Sequence, residues 1–204
     1  MNETAEPSQP RETGQPHETG QPRETGETRL PGDLSPEKMI ERIIRVDHAG
    51  EVGAERIYAG QLAILGKSKS AEIIRRMAEQ ETKHRKTFED LMIARKVRPT
   101  LLAPLWNVAG YALGAGTALL GERAAMACTV AVEEAIDRHY GAQAAYLGDD
   151  EEELRDVVEE ARADEVQHRE MALEAGAERA LGYEPMRVAI KTGTRLAIWL
   201  SERF

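Results

Sequence analysis

The sequence predicts an all-α fold, a four-helix bundle carrying additional apolar, membrane-facing helices, and three observations predict it. Ala, Leu, Ile, Glu and Arg dominate the chain beyond its first 34 residues, while aromatics reach only 4% of the 204 residues, a balance that favours helix over sheet. Apolar side chains recur there at helical spacing over long stretches. Ser, Gly and Pro fall at the boundaries of those stretches, where helices start and stop. With 31% charged and 41% hydrophobic residues the chain reads as one soluble or surface-bound domain with one core. The net charge of -9 argues against a generic nucleic-acid binder, which would display a basic face. Cys128 is the sole cysteine, so no disulfide can form within the chain, and one free thiol suits a reducing compartment.

Residues 1–34 stand apart. QPRETG at 9–14 recurs as QPHETG at 15–20 and as QPRETG at 21–26, and this low-complexity tail has almost no apolar side chain to offset the entropy of ordering. It is expected to be disordered, His17 included. It lacks the apolar stretch of a secretory signal, and its acidic residues, Glu3 and Glu6 among them, do not suit a mitochondrial presequence.

The domain, residues 35–204, opens with Ser35 as cap, Pro36 at the first helical position and Glu37 at the positive helix end; Gly66 stops this first helix. Ser70 is expected to cap a second helix running to about Lys96, with Ile73, Ile74, Met77, Phe88, Leu91 and Met92 on its apolar face. From Pro99 to Gly121 no Asp, Glu, Lys or Arg occurs, a length sufficient in principle to cross a bilayer. Pro104, Asn107 and glycines 110, 114, 116 and 121 speak against a spanning helix, and a single span would separate two helical halves that share one site. The preceding basic residues Lys83, Arg85, Lys86, Arg95, Lys96 and Arg98 suit an anionic lipid surface instead. A third long helix is expected from Glu122 to about Leu147. After Gly148 and a solvated DDEEE run, a fourth should end near Leu181 and Gly182, with Pro185 beyond it. The last segment, around Val188, Ile190, Leu196, Ile198, Trp199 and Leu200, suits packing on the core or lying on a membrane.

Glu81 and His84 form Glu-x-x-His in the second helix, and Glu165 and His168 form it in the fourth. At about 100° per residue, positions i and i+3 share one face, so each pair can grip one metal ion or share two. One such pair is weak evidence, since Glu is common in helices. Glu51 and Glu133 precede the two pairs at nearly equal spacing and change the odds. The order Glu, Glu-x-x-His, Glu, Glu-x-x-His matches the di-metal centre of ferritin-like bundles, in which four helices each turn a carboxylate or imidazole inward. Glu134 is the rival to Glu133, which is preferred because Tyr140 follows it by two turns and Val130 lies three residues before it. Tyr58 stands in the same relation to Glu51, and either tyrosine can serve as a ligand-binding hydroxyl or as an amphipathic core residue. Asp164 lies one turn before His168 and Gln80 one turn before His84, placed to orient those imidazoles or to be plain exposed positions. His48 and His139 have no ligand pattern of their own, and Cys128 reads as a small core residue.

Four carboxylates and two imidazoles make a hard anionic site that suits two iron ions, or manganese, and lacks the thiolates of structural zinc. Paired ferrous ions can pass two electrons to dioxygen, so O2 activation follows from the ligand set. The residue pattern leaves open what is oxidised. An iron-storage or peroxide-reducing bundle would use the same ligands without a lipid-facing segment, and a membrane-surface scaffold would need no intact site.

Four blocks then carry a resemblance: RVDHAGEVGAERIYAGQL at 45–62, PLWNVAGYALGAGTALLG at 104–121, MACTVAVEEAIDRHYGAQ at 126–143 and LAIWLSERF at 196–204. From about residue 39 to its end the chain resembles the demethoxyubiquinone hydroxylases. The resemblance implies a di-iron monooxygenase that hydroxylates the demethoxyubiquinone or demethoxyubiquinol ring with O2 late in ubiquinone biosynthesis. It assigns iron ligation to Glu51, Glu81, His84, Glu133, Glu165 and His168, with Glu81 and Glu165 bridging, and it leaves a site role for Tyr140. It also implies a polyprenyl quinol substrate and peripheral attachment to the membrane where that substrate resides, expected as the cytoplasmic face of a bacterial inner membrane. It leaves room for accessory proteins of the pathway and a homo-oligomer, and names no electron donor. The repeat tail and Val52, where many members carry tyrosine, depart from the pattern.

Overall fold

A computed structural model describes residues 32–204; the expected disordered tail up to residue 31 lies outside the described residues. Six α-helices and no strand occur among the described residues. Helix α1 spans Pro36–Leu65, α2 Ala71–Arg95, α3 Ala103–Leu119, α4 Glu122–Leu147, α5 Glu152–Glu174 and α6 Tyr183–Ser201. Each of the four long helices anticipated from the sequence is present. Helices α1 and α2 pack as one pair and α4 and α5 as another, α2 meeting α5 and α1 meeting α4, while α3 lies along α1 and α6 along α4.

Local chemistry sets most of these boundaries. Ser35 Oγ accepts from the Lys38 amide at 3.3 Å, as a cap should. Ser70 does something else: its amide and hydroxyl donate to Glu122 at 3.0 and 2.6 Å, tying the start of α2 to the start of α4 instead of capping its own helix. Helix α5 ends at Glu174, earlier than Leu181, because Gly176 takes a left-handed φ of 92° and a 3-10 turn at Ala177–Arg179 follows. Pro185 therefore sits in the first turn of α6, where its missing N–H costs nothing, and not beyond a helix end.

The charge-free segment forms α3, and its glycines have a packing reason. A Cβ on Gly114 would collide with the Ile57 carbonyl, and one on Gly110 would lie 2.7 Å from the Gly53 carbonyl, so α3 approaches α1 backbone to backbone. Small residues serve α4 likewise, with Ala124, Ala125, Ala127, Cys128, Ala131 and Ala135 all buried. On α2 the structure buries Ile74, Met77, Phe88 and Met92 and leaves Ile73 and Leu91 partly covered. No helix among the described residues is long and apolar enough to cross a membrane. Half of the expected basic surface is neutralised: Arg85 pairs with Glu55 and Glu89, Lys86 with Asp90 and Arg95 with Glu151.

Candidate metal centre

Six side chains from α1, α2, α4 and α5 meet in the middle of the two helix pairs. Ligand atoms of Glu51, Glu81, His84 and Glu165 all lie within 4.8 Å of one another, and so do those of Glu81, Glu133, Glu165 and His168. The two groups share Glu81 and Glu165. Glu51, Glu81, Glu133, Glu165 and His168 are each at most 2% exposed. Glu134, the rival of Glu133, points away and pairs with Arg187 at 2.7 Å and with Lys191.

Charge burial on this scale demands compensation, because an isolated carboxylate in a low-dielectric interior is costly. Burial raises Glu81 and Glu133 well above the usual carboxylate range, and the charge of Glu165 adds to it. Burial works the same way on Glu165, but its hydrogen bond with His168 and the His84 imidazole close by win and hold it down at about 2. Burial opposes charge on His84 too; the Glu165 and Glu51 carboxylates, 3.7 and 3.6 Å from its Nδ1, outweigh that and push its pKa up to about 11. The cluster is one that calls for positive charge at its centre.

Hydrogen bonds around the cluster leave most of its inward atoms unused, His168 Nδ1 on Glu165 Oε2 being the exception. Glu51 Oε2, both Glu81 oxygens, Glu133 Oε2, Glu165 Oε1 and His84 Nδ1 are buried without a hydrogen-bond partner. Buried polar atoms are rarely left so, and a set of them converging from four helices is the donor arrangement that two hard divalent cations fit.

The side chains behind the cluster follow a rule that the sequence spacing did not express: each half is braced by the opposite helix pair. Tyr58 on α1 donates to Glu133 on α4 at 2.8 Å, and Tyr140 on α4 donates to Glu51 on α1. His84 Nε2 bonds Asp164 Oδ2 at 3.0 Å, and His168 Nε2 bonds Gln80 Oε1 at 3.1 Å. Asp164 and Gln80 thus orient the imidazoles across the α2–α5 seam, not along their own helices as the one-turn spacing suggests. The reason is geometric. A residue one turn away runs alongside its neighbour, whereas the far nitrogen of an inward-pointing ring reaches the facing helix.

Asp47 is the functional-looking residue the sequence reading missed. It is 1% exposed, accepts from Gln143 Nε2 at 2.7 Å, and that amide also bonds His139 Nε2 at 2.9 Å; burial raises its pKa above the carboxylate norm. Its position one turn before Glu51 on the same face was the available signal. His48 is half-buried with its pKa lowered by burial, and the Cys128 thiol is buried and pushed up to about 12 by desolvation.

Beside the cluster, an apolar cavity of about 460 Å³ opens between α1, α3 and α6. Gly50 and Val132 line it, and each is the chain neighbour of a cluster glutamate, Glu51 and Glu133.

A model of the family described as Ubiquinone biosynthesis protein COQ7 matches residues 38–201. The 3-demethoxyubiquinol 3-hydroxylase of Rhodospirillum rubrum is 55% identical over 175 residues, covering 85% of this chain and 82% of that protein. The NADPH-dependent 3-demethoxyubiquinone 3-hydroxylase, mitochondrial, of Mus musculus is 53% identical over 169 residues, covering 81% and 78%. The 5-demethoxyubiquinone hydroxylase, mitochondrial, of Saccharomyces cerevisiae is 40% identical over 181 residues, covering 80% and 78%. With most of its length inside the family model and relatives at these identities, the chain belongs to the ubiquinone biosynthesis protein COQ7 family.

Proposed function

We propose that this protein is a ferritin-like di-iron monooxygenase, a 3-demethoxyubiquinol 3-hydroxylase of ubiquinone biosynthesis. The observation that carries the reading is the set of unpartnered carboxylate and imidazole atoms from four helices beside an apolar cavity. Glu51, Glu81, His84, Glu133, Glu165 and His168 would hold two iron ions, Glu81 and Glu165 being common to both groups. An iron pair held by these residues would supply the two electrons that O2 reduction takes.

The chain's own part is to position and to exclude water. Tyr58 and Tyr140 fix the Glu133 and Glu51 carboxylates through one oxygen and leave the other aimed inward. Asp164 and Gln80 hold the Nε2 atoms of His84 and His168, so that Nδ1 of each ring faces the carboxylates. The apolar cavity takes the quinol, its ring toward Gly50 and Val132 and its polyprenyl tail toward α3 and α6. The overall change turns one ring C–H into C–OH and the second oxygen atom into water, consuming two electrons and two protons. The name of the mouse relative suggests reduced nicotinamide as the electron source.

Exposed apolar residues on the outer faces of α3 and α6 and on the loops that flank α3, Leu101, Leu105, Val108, Leu120, Val188 and Leu196 among them, support peripheral attachment to the membrane that holds the substrate. The functional test is anaerobic loading with ferrous iron, addition of a demethoxyubiquinol analogue and isotopically heavy O2, and mass spectrometry of the quinone. One heavy oxygen atom in the ring is expected. Oxygen uptake with an unlabelled quinone would overturn the hydroxylase reading in favour of an oxidase or peroxidase.

A further inference from the structure

The two halves of the cluster repeat each other closely: Glu133, Tyr140 and Gln143 stand on α4 at the spacing of Glu51, Tyr58 and Gln61 on α1. The tyrosine braces are equivalent, since each hydroxyl donates to the glutamate of the opposite half. The imidazole braces are not. Behind His84 stands the carboxylate of Asp164, and behind His168 stands the neutral amide of Gln80.

We propose that the two cation positions are inequivalent, and that the first divalent cation is taken at the Glu51–His84 position before the Glu133–His168 position is filled. This rests on the di-metal reading above.

Two independent features favour that order. A carboxylate accepting the Nε2 hydrogen bond makes the ring a more basic ligand than an amide does, and loss of such a partner typically costs about 10–100-fold in metal affinity. Asp164 also brings one more negative charge to the His84 side. Access runs the same way at the rings themselves: the His84 side chain is 11% exposed and His168 is fully buried, while the residues behind them, Asp164 and Gln80, are both partly exposed. A hydrated cation arriving from solvent therefore meets Asp164 and His84 first, at the α2–α5 seam, and reaches the His168 position from within.

The test is an anaerobic titration of the metal-free full chain with Co2+, read by calorimetry and by the visible absorption of bound cobalt. Two steps with dissociation constants at least about tenfold apart are expected. His84→Ala should remove the tighter step and His168→Ala the weaker one. Asp164→Asn should weaken the tighter step by about tenfold or more, and Gln80→Glu should tighten the weaker step and narrow the gap. Circular dichroism reports whether each variant keeps its helices; if a histidine variant unfolds, Gln80→Glu alone decides, because it adds charge on the opposite side. Equal steps in the parent chain, a tighter step that survives His84→Ala, or a gap unmoved by Gln80→Glu overturns the proposal while leaving a di-metal site standing. No cobalt bound at all overturns both.

Discussion

A buried carboxylate is held in place by the hydroxyl that donates to it, and Tyr140 is the donor to Glu51. Burial and the Glu51 charge raise the tyrosine's own pKa well above 10, so at neutral pH it remains a donor. Replacing it with phenylalanine keeps the ring that stacks on Phe88 and removes only the hydrogen bond. Tyr140→Phe is expected to destabilise the metal-free chain by about 1–3 kcal/mol, the cost of leaving a buried acceptor unpaired; urea unfolding followed by circular dichroism measures it, and an unchanged midpoint would refute the brace. At this scale the sequence was informative about identity and poor about pairing. The two Glu-x-x-His pairs brought out four of the cluster residues, and the nearly equal spacing of Glu51 and Glu133 ahead of them brought out the other two, because a helical face is a one-dimensional property. Which hydroxyl serves which glutamate depends on how two helix pairs dock. That is why Tyr58 pairs with Glu133 and Asp164 with His84, against the along-helix expectation.

Helices α3 and α6 are held to the core by opposite means, and each makes its own prediction. Between α3 and α1 the contact is backbone on backbone at Gly110 and Gly114, with no room for a side chain. Gly114→Val should push α3 off α1 and cost about 1–3 kcal/mol of stability by overpacking, seen as a lowered thermal midpoint; an unshifted midpoint would mean the approach is looser than described. Helix α6 is tied to α4 by Arg187 and Lys191 on Glu134. Partial burial opposes ionisation of Glu134, but the two cations prevail and hold its pKa below the usual 4.5. A depressed folded-state pKa contributes stability that is present above the unfolded value and is lost as pH falls through the folded one. Acidification below about pH 4.5 should therefore loosen α6, reported by fluorescence of Trp199, and Glu134→Gln should loosen it at neutral pH and flatten that acid response. The helix ends were legible where punctuation is local, as at Ser35 and Gly66. They were misplaced at α5, where Gly176 stops the helix before the apolar periodicity runs out at Leu181.

For the molecule as a whole, the question is where the apolar surface not spent on the core goes. The charge-free stretch was legible as unusual, and its glycines argued against a span; what the sequence could not supply was the division of one segment between two surfaces. Gly110, Gly114, Thr117 and Ala118 face the protein, while Leu105, Val108 and Leu119 are at least half exposed on the same helix. Trp106 belongs to the inner set, since its Nε1 donates to Ser201 Oγ at 2.8 Å and locks α3 to the end of α6. The Leu101 amide donates to the Phe204 carbonyl at 2.9 Å, so the start of α3 and the end of α6 meet, with Trp106 and Ser201 lining the cavity that carries the proposed quinol site. A lipid-dissolved substrate would then enter without crossing water. Leu105→Glu with Val108→Glu places two charges on the outer face without touching Trp106 or the glycine contact. Each buried apolar side chain of this kind contributes about 1.5–3 kcal/mol when removed from water, so the double variant should lose most of its flotation with liposomes of mixed neutral and anionic lipid. It should keep its thermal midpoint and its cobalt binding. Undiminished flotation would exclude this face as the membrane contact, and loss of cobalt binding would show that the outer surface and the cluster are mechanically coupled through α1.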